Sequence, residues 1–263
     1  QPSKNLDIKF NYAKVGRTPN IAELFADGLH HSAAIIEVGN MGIKNEDGNQ
    51  FNLNIDGKMN VLDGLRVTLN PYLFITKNFI TEVPTGIQNT IRGVFPVWSY
   101  KQIDAKMYGL DVDAQLKVND HFEYRGNFSY INGEDQTNDQ PLILMVPTNF
   151  ANSLEFKNEQ WKNFYFKVQQ QTFLQQKRFP VYNPTINIFE NGVEVEKTLD
   201  LSTPPPTYTL WSVQTGFDFN KHFSAGLNVT NLFDTNYKDY LNRMRYFSYE
   251  TGRNIIFNIK YNF

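Results

Sequence analysis

With 263 residues, no cysteine, a formal charge of −2 and a pI near 6.1, the chain has no disulfide, no thiolate metal site and no basic footprint for nucleic acid. No run approaches ~18 apolar residues, which excludes a transmembrane helix but not a membrane barrel, whose alternating strands have weak hydropathy. The leading QPSKNLDIKF lacks the charged-then-apolar layout of a signal peptide.

Apolar residues fall on every second position almost throughout, which predicts ten strands. The first lies near 4–14. The link 15–49 holds RTPNIAELF, where Pro19 suits the start of a short helix, and then the pair His30 and His31. Adjacent histidines on a strand point to opposite faces and no third ligand is near in sequence, so no metal site is predicted. The pair reads as exposed loop side chains or as a contact to bound ligand or an iron chelate. Strands near 50–60 and 65–78 are joined by the short VLDG, 61–64. Pro71 inside the second of these removes a ladder donor and predicts a bulge. A long link, 79–103, leads to strands near 104–118 and 121–133, joined by the short NDH, 119–121. The long link 132–147 precedes strands near 148–158 and 162–175, joined by NEQW, 158–161. The long link 176–208 contains STPPP, 202–206, a stiff approach to the next strand. Strands near 208–219 and 222–231 are joined by Asn220 and Lys221. The link 232–252 carries YLNRMRYFSY, in which Arg243 and Arg245 interleave with aromatics. It reads as loop packing or as a grip on an anionic, partly apolar ligand. The last strand, 252–263, keeps its alternation to the terminal Phe263.

Long and short connections alternate without exception. An up-and-down barrel places every second connection on the same side, and outer-membrane barrels keep short turns on one side and long loops on the other. A Greek-key sandwich has no reason to sort its loops this way. One row of the strands, running Leu6, Ile8, Phe10, Tyr12 in the first and Phe223, Ala225, Leu227, Val229 in the ninth, holds no charge. The opposite row carries Asp7, Lys9, Asp56, Lys58, Arg66, Asp111, Asp113, Lys117, Glu123 and Arg125, among others. A charge facing lipid at mid-depth costs ~2–4 kcal/mol, which accounts for such a purge. Aromatics collect at both ends of the uncharged row: Phe122, Phe156, Phe164, Phe219, Phe223 and Phe263 by the short turns, and Tyr12, Phe51, Tyr108, Tyr130, Phe150 and Trp211 toward the long loops. Two aromatic girdles around an aliphatic band fit two membrane interfaces. A strand of about eleven residues tilted ~45° rises roughly 25 Å, the height of a lipid-facing band. Asn152 and Gln170 fit this row poorly; they sit near an interface or the phase slips locally. The charged row reads as a wet barrel wall, and no catalytic constellation and no cofactor is expected.

The two ends of the chain carry a resemblance. NVTNLFDTNYKDYLNRMRYFSYETGRNIIFNIKYNF resembles the end of TonB-dependent outer-membrane receptors, through Asn231–Asp234, Tyr237, Gly252–Asn254 and Phe263. GRTPNIAELFADGLHHSAAIIEVGN, 16–40, looks like a loop motif of that family, through Arg17 and Pro19, Glu23 and Leu24, Gly28 and His30, and Gly39 and Asn40. Weaker echoes are DAKMYGLDVDAQL, 104–116, and PPPTYTLWSVQTGFDF, 204–219. The resemblance runs over essentially the whole chain. It implies an all-β fold: an antiparallel up-and-down transmembrane β-barrel, of which residues 1–263 form the C-terminal portion, ten strands of about 22. The plug and signal peptide of such receptors are not in this sequence, so a fragment is expected. The implied location is the bacterial outer membrane, and the implied role is energy-coupled uptake of a scarce ligand such as a ferric siderophore, haem or cobalamin. The implied partners are membrane lipid, the plug and remaining strands of the same protein, the TonB complex through the missing N-terminal region, and a small extracellular ligand. Nucleic acid is not among them. The candidate ligand contacts are Arg17, His30, His31, Arg243 and Arg245. Closure of the barrel by the last strand, and reading of its terminal Phe by the assembly machinery, would explain why Phe263 ends an unbroken pattern.

Two rival readings make different expectations. A passive porin-like barrel would lack a plug and conduct ions. A soluble β-sandwich or barrel would bury the uncharged row and stay monodisperse without detergent.

Overall fold

The computed structural model describes residues 4–59 and 64–262. The short turn read at 61–64 lies outside these residues apart from Gly64, as does Phe263. In chain order the elements are β1 (Leu6–Arg17), α1 (Ile21–Phe25), β2 (Asp27–His30), β3 (Ile35–Val38), β4 (Glu46–Met59), β5 (Leu65–Thr90), β6 (Gly93–Lys117), β7 (Phe122–Asp135) and β8 (Gln140–Pro141). They continue with β9 (Asn149–Asn158), β10 (Phe164–Phe173), β11 (Thr185–Glu190), β12 (Val193–Thr198), β13 (Tyr208–Asp218), β14 (Phe223–Thr230) and β15 (Asn254–Tyr261).

The wall is one antiparallel sheet in the order β1-β4-β5-β6-β7-β9-β10-β13-β14-β15, each strand beside its neighbour in the chain apart from the small loop strands. This is the up-and-down arrangement that the sorted connections predict. The sheet is open, with β1 and β15 at its two edges. Cross-strand partners share a face, so the register tests the division into rows. Leu6 pairs with Gly57 and Tyr12 with Phe51, Val67 with Ala114 and Leu73 with Tyr108. Tyr124 pairs with Leu154, Val168 with both Leu154 and Val213, and Leu227 with Phe257. Between the two girdles every wall ladder joins uncharged row to uncharged row, so no strand slips in phase. Asn152 pairs with Gln170, and Gln170 with Trp211, the long-loop girdle residue. The two amides therefore sit at an interface rung.

No second layer of protein covers the uncharged face among the described residues. Leu154, in the middle of the sheet, is 47% exposed, and Phe128, Phe166 and Trp211 are exposed as well. The hollows of the wall lie on the charged row instead, one lined by Lys9, Asp56 and Arg66, another by Asp113, Arg125 and Asn127. The charges there pair within the wall: Arg66 Nε donates to Asp56 at 2.8 Å, Ser129 to Asp111 at 2.6 Å, and Lys157 lies 3.0 Å from Glu155. On the long-loop side the uncharged band stops abruptly. One step beyond Tyr12, Ile75 and Tyr108 the same row carries Lys14, Lys77 and Lys106, and Lys106 reaches over the Tyr108 ring.

Three sequence expectations change. The link 79–103 is strand, not loop: β5 and β6 run on beyond the wall as one hairpin, turning at residues 91–92 with Gly93 at φ 125°. No register shift occurs at Pro71; it faces Leu110 in an unbroken β5–β6 ladder, while β4–β5 pairing is interrupted opposite it with the register kept. A missing N–H removes one bond without requiring an extra residue. The bulges fall instead between Thr76 and Phe79 and between Pro84 and Gly86. Third, α1 starts after Asn20 rather than at Pro19, because Asn20 caps it: its side chain accepts from Glu23 N–H while Glu23 reaches back to Asn20 N–H, a complete capping box.

The apolar core lies in the long-loop region, not in the wall. Ile35, Ile36, Ile80, Val83, Trp98, Leu201 and Tyr240 are buried there, and Ile103, Ala105 and Leu142 pack with Phe79, Met107 and Met145. The links 15–49 and 176–208 fold into hairpins, β2–β3 and β11–β12. The second turns at Asn191 and Gly192, both at positive φ, as a two-residue hairpin demands.

Candidate ligand-facing site at the long-loop end

The extended β5–β6 hairpin is the platform of the site. Strand β3 adds to it in parallel, setting Glu37 opposite Trp98. The link after β14 then crosses over both. Its short 3-10 turn, Arg243–Tyr246, starts where Asn242 accepts from Met244 N–H at 2.9 Å and donates to Glu250 at 2.6 Å.

Arg243 enters this junction. Its guanidinium stacks 4.4 Å from the centre of the Trp98 ring, bonds Glu82, and lies 3.7 Å from Glu37. Trp98 is fully buried, and the Glu82 side chain is 9% exposed. Two carboxylates thus share one guanidinium. Burial pushes the Glu82 carboxyl above its ordinary range, with Arg243 pulling the other way. The Tyr100 hydroxyl is pushed up to about 12 by burial first and then by Glu82 and Glu37. Glu82 Oε1 and Trp98 Nε1 have no hydrogen-bond partner among the described residues.

The five candidates read from the sequence fall into two groups. His30 and His31 diverge: His30 Nδ1 is 2.7 Å from Glu37 and its Nε2 3.0 Å from Ser32, while His31 Nε2 is 3.3 Å from Arg92 at the tip of the β5–β6 hairpin. Through Glu37, His30 meets Arg243. Arg17 and Arg245 hold loops together. Arg17 donates to both oxygens of Glu23 at 2.9 and 3.0 Å and to Glu46 at 2.8 Å, tying α1 to the start of β4. Arg245 is buried, donates to the Tyr240 and Leu201 carbonyls and to the Tyr246 hydroxyl, and packs on both tyrosine rings.

A hollow of about 710 Å³ opens beside Arg245, lined by Asp200, Pro206, Tyr208, Tyr237 and Tyr249. Below it, on the polar face of the wall, a second of about 450 Å³ is lined by Gln169, Gln171, Ser212, Gln214 and Asn254. Together they offer aromatic faces, neutral amides and the charges of Asp200, Lys238 and Arg245, a lining suited to holding a polar molecule. Among the described residues no group of three or more His, Cys, Asp and Glu is placed to hold a metal ion.

The sequence reading missed Glu37, Glu82, Trp98 and Tyr100. For the last three the signal lay in the segment 79–103, rich in β-branched residues on both sides of Arg92–Gly93; Glu37 sits inside the 16–40 motif. Pro84 and Pro96 obscured it, since proline demotes a strand pattern.

A family model described as TonB dependent receptor-like, beta-barrel matches residues 1–232. No curated protein matches the chain. Among solved structures, the copper transporter OprC is similar at a TM-score of 0.73 and 14% identity, over 98% of this chain and 38% of its own. A mutant of the ferric enterobactin receptor PfeA from Pseudomonas aeruginosa is similar at 0.68 and 16%, over 100% of this chain and 39% of its own. The siderophore receptor PirA from Acinetobacter baumannii is similar at 0.65 and 16%, over 100% and 40%. At these identities the likeness is one of fold. The chain spans less than half the length of each of these proteins.

Proposed function

The chain belongs to the TonB-dependent receptor β-barrel family, and from that premise we propose that it is the C-terminal part of a receptor barrel that takes up a scarce ligand across a bacterial outer membrane. One observation carries this reading. Between the two aromatic girdles every wall ladder keeps the ionic residues on the hollowed face and leaves the uncharged face bare, as a barrel with lipid outside and water inside requires.

In this reading the wall meets lipid, the remaining strands and an N-terminal plug complete the barrel, and the TonB complex pulls on the plug through an N-terminal segment. The protein does no covalent chemistry. A small polar ligand, with a ferric siderophore, haem and cobalamin as its classes, is gathered by the folded long loops. His30 and His31 reach toward it from the first loop and Arg243 anchors the charged junction behind them. Arg17 and Arg245 keep the loops in place. The hollow beside Arg245 and the amide-lined wall below it form the path.

The test is deletion of the full-length gene, followed by growth on defined iron and cobalamin sources. Loss of growth on one source, restored by the gene only while the TonB complex is intact, supports the proposal. Ion conductance through an unplugged barrel, with uptake indifferent to TonB, would overturn it in favour of a passive pore.

A further inference from the structure

The uncharged face carries one interruption that the transport reading does not use. Tyr124 donates to Asn152 Oδ1 at 2.6 Å, Asn152 donates to Gln170 Oε1 at 2.9 Å, Gln170 donates to Thr172 Oγ1, and the Thr172 and Thr209 hydroxyls lie 2.7 Å apart. This chain crosses β7, β9, β10 and β13 on the face that bears Leu154 and Val168. It lies at the centre of the sheet, away from both open edges. Gly126 makes room for it, since a Cβ there would sit 2.9 Å from the Tyr124 hydroxyl. The rung therefore reads Gly126, Asn152, Gln170, Trp211, a shallow step beside a tryptophan wall.

Each amide has two N–H donors and a carbonyl with two lone pairs. Both carbonyls already accept within the chain, and each amide spends one donor there. One N–H on Asn152 and one on Gln170 remain, on half-buried side chains that pair across β9 and β10 on the uncharged face. An unpaired donor in hydrocarbon costs several kcal/mol by order of magnitude. A carbonyl that accepts once is satisfied, so it is the two remaining donors that call for a partner, an acceptor at this depth. Lipid ester carbonyls, at the junction of headgroup and chain, have that chemistry, and the tryptophan girdle marks that depth.

We propose that Asn152 and Gln170 form a lipid-docking strip, donating their second amide N–H groups to an acyl-ester carbonyl in the leaflet on the long-loop side. The proposal rests on the outer-membrane reading. To test it, the full-length receptor is reconstituted into nanodiscs of a diester phosphatidylcholine or of its diether analogue, matched in headgroup and chain, and thermal unfolding is followed. The wild type is expected to melt a few degrees higher in the ester lipid, with the gap closing in the Asn152→Leu, Gln170→Leu double variant. No gap in the wild type, which needs no variant to fold, overturns the strip; so does a gap the variant retains. A cross-linked dimer through this rung that the double variant abolishes would replace lipid with a second copy. Failure to insert into either nanodisc would overturn the membrane reading itself, a result distinct from insertion without ester dependence.

Discussion

Arg243 is the residue on which the loop assembly turns. It joins the last long link to Glu82 on β5 and approaches Glu37 on β3, while its flat guanidinium covers Trp98. Removing one partner of a buried pair leaves the other charge stranded, at about 3–5 kcal/mol. Arg243→Ala should therefore loosen the loop assembly, read as faster proteolysis within 232–252, with the wall protected as before. Glu82 adds a pH dependence. Burial raises its pKa, so the folded state favours the neutral acid. That stability is complete below the ordinary carboxylate range and is lost as pH rises through the raised folded value. Loop unfolding, followed by tryptophan fluorescence, should therefore shift to higher temperature as pH falls from neutral toward that range, and the trend should vanish in Glu82→Gln. Tyr100 and Glu37 face the same group, and His30 is coupled to it, but the most buried carboxylate sets the sign. Another residue explains part of the motif read at 16–40. A Cβ on Gly39 would lie 2.6 Å from the Leu24 carbonyl carbon and 2.7 Å from Ala26 N, and the next residue, Asn40, donates its N–H to Glu23 at 2.8 Å. Glu23, Leu24, Gly39 and Asn40 are thus a single contact, where a helix rests on bare backbone.

At the scale of elements, two short turns repeat one design. Asn119-Asp120-His121-Phe122 and Asn220-Lys221-His222-Phe223 share their first, third and fourth residues. In each, the Asn side chain accepts from the next two N–H groups but one, His and Phe, at 2.8–2.9 Å. In each, the His Nδ1 lies 2.9 Å from a carbonyl in or just past the following strand, Lys157 of β9 or Asn262 after β15, whose N–H donates back to the His carbonyl at 2.8 Å. The turn therefore closes its own hairpin and clips the next strand, and for His222 that strand is β15. His222→Ala should raise amide exchange at Asn262 relative to mid-strand Phe257 without moving the long loops; unchanged exchange at Asn262 would show that the clip does not hold the strand. The longest elements, β5 and β6, were legible only up to residue 78 and from residue 104. Period-two alternation signals a sheet with one face apolar, whereas the hairpin beyond the wall is covered by loops on part of both faces and breaks its register at two bulges.

At the scale of the whole molecule, the sheet has two unpaired edges and an uncovered apolar face. Edge strands recruit other strands, and every residue of β15 is exposed. This segment, expressed by itself, should require detergent and still self-associate, as size-exclusion chromatography would show; a monodisperse species in plain buffer would remove the lipid-facing reading. The loops form the opposite case. Their core of Trp98, Ile35, Leu201 and Tyr240 is buried within the chain as it stands, so the long-loop end is held by its own packing.

By itself the sequence determined the all-β class, the ten wall strands, their order and their in-out phase. Those follow from local rules: a period of two, sorted connection lengths, and the cost of placing charge in hydrocarbon. It also held the residues of the 16–40 motif, though not the reason for their spacing. Only the tertiary structure decided which side chains meet at the loop end. Arg243 and Glu82 are 161 residues apart, and no periodicity links them. Their contact exists because β5 and β6 rise beyond the wall and a later loop closes over them, an outcome of packing that a local pattern cannot carry.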